Sequence, residues 1–203
     1  MFPFNYSTMV DPFFGDLRNA VVELAEIKAG DKVLDVCCGT GDQAFYYLRK
    51  GAVVTGVDRD PGMIKQAEKD RERQEFNNVN FRLGSAAKLP FRDGFFDCAS
   101  ISLAIHEMNR DERSEVVSEM KRVVKKSGNL IFVDFNVPLP NNSIAWLINA
   151  VEFLAGKDNY SHFRDYIAQG GLNQLLKENR LTAQKESLYK SGNVQIIKSS
   201  NPR

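Results

Sequence analysis

Short apolar runs alternate with amphipathic stretches along this chain, and that alternation limits the fold more than any other feature. The runs are residues 33–36, 52–57, 79–83, 97–103 and 129–135. Gly30, Gly51 and Gly128 stand just before three of them, and Gly84 ends a fourth. Runs of this length and composition read as strands buried on both faces, the state found in parallel sheets. Helical patterns lie between them. Residues 13–27 place apolar side chains at 14, 17, 21, 24 and 25, an amphipathic stripe. Residues 42–50 and 61–73 follow, the second with Pro61 in its first turn. Over residues 111–126, Val116, Val117, Met120, Val123 and Val124 form one face. Acids gather at its start (Asp111, Glu112, Glu115) and bases at its end (Lys121, Arg122, Lys125, Lys126), which complements the helix dipole. That charge pattern reads as a solvated face. Strand and helix in this order predict an α/β, doubly wound sheet.

The rhythm breaks at the PLPNN of residues 138–142. Two helical stretches follow, 143–155 and 161–179. Residues 182–189 and 193–199 then alternate around Lys190-Ser191-Gly192, which predicts a terminal antiparallel β-hairpin. A chain of 203 residues with 43% hydrophobic and 26% charged residues can bury one core of ordinary size. Its net charge of +1 gives no electrostatic reason to bind nucleic acid or an acidic membrane. No apolar run approaches the roughly 18 residues of a spanning helix. The opening MFPFNYSTMVDPFF lacks the basic start and apolar run of a secretory signal. Three cysteines, with Cys37 and Cys38 adjacent, make a poor disulfide framework, so the expected setting is reducing and cytoplasmic.

The first strand runs into VLDVCCGTGDQA, with Gly39 and Gly41 at the strand-to-helix turn. The spacing Gly39-x-Gly41-x-x-Ala44 also fits a dinucleotide fingerprint. Charge separates the two readings. A pyrophosphate brings negative charge to the helix N-terminus, where Asp42 stands, with Asp35 at the strand end. Two carboxylates repel that ligand and attract one carrying an ammonium and a sulfonium, such as S-adenosylmethionine (SAM). The plainer alternative is that Asp42 caps the helix. Asp58 closes the second strand 17 residues after Gly41, where an acid can accept bonds from both ribose hydroxyls; the alternative is a surface turn. Met63, beyond Arg59, can pack on adenine or in the core. The backbone and hydroxyl of Gly84-Ser85-Ala86 can meet the adenine edge, and Leu89 can cover its face.

Together, VLDVCCGTGD, GVDRDPGMIKQAEK, GSAAKLPFRDGFFDCASISLAIHEM and VVKKSGNLIFVDF resemble, in order, the motifs of class I SAM-dependent methyltransferases. They are most similar to the C-methyltransferases of ubiquinone and menaquinone biosynthesis and their type 11 relatives. The resemblance covers residues 30–136 and is echoed in the SGNVQIIK hairpin. It implies a Rossmann-like sheet, mostly parallel, in one domain. Residues 1–28 would be an N-terminal lid and helix, 30–136 the SAM-binding core, 138–180 a helical insert on the acceptor side, and 181–203 the hairpin. It also implies that Asp35, Gly39, Thr40, Gly41 and Asp42 hold the methionine end of SAM. Asp58 would hold the ribose with Arg59 beside it, Ser85 and Ala86 would meet adenine, and Ser102 would lie near the cofactor. Two departures stand out. Many relatives carry Asp at the place of Ser85, and the quinone enzymes carry an Arg-Asn pair where this chain has His106-Glu107.

Methyl transfer from a sulfonium has an activated, neutral leaving group, so alignment supplies much of the acceleration. A base is needed only where the nucleophile must lose a proton. His106, just beyond the fourth strand's carboxyl end, is the candidate base, with Glu107 to orient it; a capping or substrate-orienting role is the alternative. His162 in the insert is a weaker candidate. The insert brings Trp146, Leu147, Phe153, Tyr160, Phe163 and Tyr166, which read as core or as an acceptor lid. Phe2, Phe4, Tyr6, Phe13 and Phe14 can close over the cofactor. Apolar walls favour a small apolar or amphipathic acceptor: a quinone-like ring, a lipid headgroup or a related metabolite. Cys37 and Cys38 read as packing, and no Cys/His spacing suggests a metal. A nicotinamide-dependent oxidoreductase, a non-catalytic SAM-binding subunit and an aminopropyltransferase are the competing readings.

Overall fold

The computed structural model describes residues 6–202, with side chains from residue 15 onward. The aromatic side chains of Phe2, Phe4, Tyr6, Phe13 and Phe14 lie outside the described residues. Five parallel strands form the body of one sheet: β1 (Lys32–Val36), β2 (Val53–Asp58), β3 (Val79–Leu83), β4 (Phe96–Ser102) and β5 (Val124–Phe135). β6 (Ala183–Tyr189) and β7 (Val194–Ser200) form the expected hairpin, with β7 antiparallel to β5. The order across the sheet is β3-β2-β1-β4-β5-β7-β6. The helices are α1 (Tyr6–Ala25), α2 (Asp42–Leu48), α3 (Pro61–Arg73), α4 (Arg110–Val123), α5 (Ser143–Leu154), α6 (Lys157–Gln169) and α7 (Gly171–Glu178).

Strand alternation divides the core in two. Leu34 and Val36 of β1 join Val116, Val117 and Met120 of α4 and Leu172 of α7 on one face. Val33 joins Leu17 and Val21 of α1 and Ala44, Phe45 and Tyr47 of α2 on the other. By the same period of two, Asp35 points to the second face, the one acid in β1. Each fully buried aliphatic side chain contributes about 1.5–3 kcal/mol. Helix starts are fixed locally. Asp60 caps α3 by accepting from the Gly62 and Met63 amides, Asn109 caps α4 and Asn142 caps α5. A cap of this kind is worth about 0.5–2 kcal/mol.

Three boundaries differ from expectation, the first being α1, which begins at Tyr6 and not at residue 13. The helix predicted over residues 111–126 stops at Val123, and β5 begins at once with Val124 paired to Phe96. β-Branched Val123 and Val124 suit either state, and both are buried. A register shift then carries β5 forward so that Asn129 faces Cys98. Gly128 is required there, because a Cβ would stand 2.6 Å from Val124 Cγ1 and 2.7 Å from the Asp97 carbonyl. The helix predicted over 161–179 is two, α6 and α7, broken where Gly170 and Gly171 take φ values of 94° and 64°. No described helix is long and apolar enough to cross a membrane.

Candidate active site

From β1 the chain builds outward through β2 and β3, then returns to β4 on the opposite side. The connections after β1 and β4 therefore diverge, which opens a crevice at the strands' carboxyl ends. The loop from β1 to α2 lies there, with Cys37, Gly39 and Gly41 in the left-handed region (φ 54°, 52° and 81°). The glycines differ in purpose. A Cβ on Gly41 would stand 2.5 Å from Phe81 Cζ, whereas one on Gly39 would meet nothing within 4 Å. Gly41 permits packing and Gly39 leaves the backbone approachable.

The loop is tied to its neighbours. The Cys38 amide donates to the Val57 carbonyl (3.0 Å) and the Gly39 amide to Asp58 Oδ2 (2.8 Å). Asp58 Oδ1 accepts from the Asp60 amide (2.9 Å). Asp42 is not the helix cap, since Gly41 occupies that position. Its Oδ2 accepts from Thr40 Oγ1 (2.8 Å) and from Arg18 (3.3 Å). Asp35 is 2% exposed; Oδ1 accepts from Ser100 Oγ (3.2 Å), and Oδ2 has no hydrogen-bond partner. Burial raises its pKa to about 7; Asp58 and Asp42 add to the rise, and Ser100 and Arg18 oppose it. The crevice is thus less anionic than a count of acids suggests, because Asp35 is partly protonated near neutrality and Arg18 balances Asp42.

At the periphery, Arg59 is exposed and pairs with Glu112 at 3.4 Å. Met63 is 38% exposed, so it is not a core residue. Ser85 Oγ accepts from the Ala87 amide (3.2 Å), and Ala86 packs on the main core. Leu89 is buried in that core, its amide bonded to Glu119 and its carbonyl to Arg122. Ser102 ends β4 with its hydroxyl oxygen buried and without a hydrogen-bond partner. Burial pushes both loop thiols upward, Cys37 to about 12, which keeps them protonated at neutral pH.

A second polar cluster is assembled from distant segments. His106 sits in a short 3-10 turn, Ile105–Glu107, beyond β4. Its ring is 3% exposed. Nδ1 lies 2.6 Å from Asp134 Oδ1, Nε2 lies 3.5 Å from Glu152 Oε1, and the backbone amide donates to Asp134 Oδ2 (3.1 Å). Desolvation pulls the imidazole pKa down, but Asp134 and then Glu152 outweigh it and lift it to about 10. That shift favours the protonated ring near neutral pH and weighs against the free base expected from the sequence. Arg113 of α4 braces the turn, donating to the carbonyls of Ile105 (3.2 Å) and His162 (2.7 Å) and to Asp165 (2.8 Å). His162 Nδ1 meets the Glu107 carbonyl at 2.8 Å, a structural tie between α6 and the turn. Asp134, Glu152 and Arg113 were not singled out from the sequence. The one signal for the first two is an acid alone in an apolar run, as in LIFVDF and SIAWLINAVEFL.

A mostly parallel sheet with a terminal antiparallel hairpin and a glycine loop at its switch point defines a Rossmann-like fold of the class I methyltransferase type. Comparison with known proteins agrees. A methyltransferase domain family matches residues 33–128. An uncharacterized methyltransferase from Synechocystis is 30% identical over 176 residues, spanning 87% of this chain and 78% of that one. The ubiquinone/menaquinone biosynthesis C-methyltransferase UbiE of Pseudomonas putida is 33% identical over 180 residues, spanning 81% and 68%. A SAM-dependent methyltransferase from Aquifex aeolicus shares the fold with a TM-score of 0.72 over 98% of both chains, at 17% identity. The chain belongs to the class I SAM-dependent methyltransferases and is a distant relative of the ubiquinone and menaquinone C-methyltransferases. Its cofactor is SAM.

Proposed function

We propose that this methyltransferase acts on a small apolar or amphipathic acceptor, such as a quinone-like ring, and works chiefly by positioning. The observation that carries the cofactor half is the unpartnered Asp35 Oδ2 buried beneath the glycine loop. A buried acceptor atom without a donor is costly, and the ammonium of SAM supplies one. The remaining residues fit as well. Open space over Gly39 lets a ligand approach the loop backbone. Asp58 receives one amide on each oxygen and retains lone pairs for two ribose hydroxyls. In this reading Asp35, Gly39, Thr40, Gly41 and Asp42 hold the methionine end. Arg59 and Met63 border the ribose and adenine, Ser85 and Ala86 meet adenine mainly through backbone, and Ser102 directs its hydroxyl toward the reacting end.

When bound, SAM supplies a methyl group activated by its sulfonium. The protein aligns the acceptor and excludes water. Phe135, Phe163 and Tyr166 pack around His106, an aromatic setting that agrees with a flat apolar acceptor. The quinone-ring candidate draws support from the name of the UbiE relative, of which the chain spans 68%. Calorimetry tests the reading: S-adenosylhomocysteine binds the purified chain, and Asp58→Ala weakens it at least about tenfold, since hydrogen bonds to a charged group are worth about 1.5–3 kcal/mol. Unchanged affinity removes Asp58 from the site, and absence of binding by the wild-type chain overturns the reading.

A further inference from the structure

We propose that His106 presents a cationic Nε2–H to an anionic oxygen on the acceptor, and that Glu152 of α5 occupies that place until the acceptor arrives. The inference rests on the methyl-transfer reading and deepens it by naming the acceptor's class: a small molecule with a phenolate-like or enolate-like oxygen near the methyl-receiving atom.

Geometry fixes the protons. Asp134 accepts from three donors: His106 Nδ1 (2.6 Å), the His106 amide (3.1 Å) and the Phe135 amide (2.7 Å). With each Asp134 oxygen already accepting an amide, the arrangement proposed has Nδ1–H donate to Oδ1. Nε2 faces a second carboxylate, Glu152 Oε1 at 3.5 Å. An imidazole between two acceptors is satisfied only with a proton on each nitrogen. The ring is walled by Phe135, with centroids 4.5 Å apart, and by Phe163 and Tyr166. A cation in such surroundings requires a partnered anion. Asp134 is rigid within β5, so the exchangeable partner is Glu152.

Glu152 is also the odd residue of its helix. Ala145 and Glu152 are the only buried residues of α5, while Trp146, Leu147, Val151, Phe153 and Leu154 are exposed. The helix turns its large apolar side chains outward and its single charge inward. Its separation of 3.5 Å from Nε2 exceeds the 2.7–2.9 Å of a strong charge-assisted bond, as a replaceable partner should. The other charges near the ring are accounted for. Glu107 belongs to the same turn, with Arg59 in electrostatic reach, and Arg113 is committed to Ile105, His162 and Asp165.

The test uses the whole chain with S-adenosylhomocysteine and 4-nitrophenol, whose phenolate absorbs visible light and whose neutral form does not. The bound probe is expected to ionise at least about one pH unit lower than in water, a tenfold preference for the anion. Glu152→Gln removes the competing charge and strengthens phenolate binding by about threefold or more, within the range of a partly screened ion pair. His106→Gln abolishes the preference. 4-Nitroanisole, which has no ionisable oxygen, binds the wild type and Glu152→Gln alike. A second measurement needs no variant. The chain has two histidines, His106 and His162, so ring-nitrogen NMR resolves each. At about pH 8, where an ordinary imidazole is neutral, His106 is expected to carry both ring protons. A neutral His106 ring, a bound phenol that titrates as in water, weaker phenolate binding in Glu152→Gln, or no binding of the probe would each overturn the inference. Failure of S-adenosylhomocysteine to bind defeats the methyl-transfer reading instead, so the two failures are distinguishable.

Discussion

Under the proposed function the glycine loop after β1 serves the cofactor and the insert helix α5 the acceptor, and different forces hold the two. The loop is fixed by short-range backbone geometry: left-handed residues at 37, 39 and 41, amides bonded to Val57 and Asp58, and the helix it opens packed through Ala44, Phe45 and Tyr47. Helix α5 buries only Ala145 and Glu152, meets α6 through Phe153 and Tyr160 (ring centroids 5.4 Å apart), and faces His106 with the Glu152 carboxylate. A wall built from close packing resists change, whereas one joined by a replaceable ion pair can yield to a ligand. In the proposed reading the cofactor end is preorganised and the acceptor end adjustable, a division that suits fixed-donor chemistry.

The largest expected effect comes from the loop. Gly41→Ala places a methyl 2.5 Å from Phe81 Cζ at a φ of 81°. Left-handed backbone costs about 1–2 kcal/mol outside glycine, and overpacking costs about 1–3 kcal/mol more. Denaturant unfolding should show that loss, together with weakened S-adenosylhomocysteine binding. Gly39→Ala pays only the backbone cost, because its methyl meets nothing within 4 Å. It should nevertheless weaken S-adenosylhomocysteine by about tenfold or more, since the methyl projects into the proposed cofactor space. Equal stability losses in the two variants would erase the distinction drawn between the glycines.

What was legible in the sequence follows from how local each cause is. β3 and α3 occupy the predicted residues, because an apolar run ending at Gly84 and the Asp60-Pro61 start are each self-sufficient signals. The glycine loop was legible for the same reason: its residues are contiguous. The end of α4 was not, because Val124 is equally at home in helix and strand and only its pairing with Phe96 decides. The break at Gly170-Gly171 was open to a stricter reading of the paired glycines. The acceptor wall was least legible. His106, Asp134 and Glu152 lie on three separate segments, and no spacing rule connects them. Two remote carboxylates converge on residue 106 and raise its pKa, and neither is a neighbour of it in sequence.

The two walls should also titrate in different windows. Folded Asp35 holds its proton up to about pH 7, against an ordinary 3.8, so the stability it contributes at low pH is lost as pH rises from about 4 to 7. Folded His106 holds its proton up to about 10, against 6.5, so its contribution is full below about pH 6.5 and drains as pH rises toward 10. The slope for one proton is at most about 1.4 kcal/mol per pH unit. Denaturant midpoints measured across pH should show Asp35→Asn flattening the lower window and His106→Gln the upper one. Added S-adenosylhomocysteine should shrink the lower window selectively, because its ammonium favours ionised Asp35. A single window abolished by either variant would mean that the walls are coupled and not independent.

The smallest expected effect falls on the largest side chains of α5. Trp146 and Leu154 are 74% and 75% exposed. Apolar area that remains in water in the folded state contributes no burial energy. Trp146→Gln and Leu154→Gln should therefore change unfolding free energy by no more than about 0.5 kcal/mol, the range of surface substitutions. S-adenosylhomocysteine affinity should also hold, since that ligand belongs to the opposite wall. Glu152→Ala offers the contrast on the same helix: it strips His106 Nε2 of its partner and leaves a buried cation half-satisfied, for which about 1–3 kcal/mol is the expected cost. If the tryptophan and leucine variants proved more destabilising than Glu152→Ala, α5 would be held by its apolar face after all, and the contrast between a packed wall and an ion-paired one would fail.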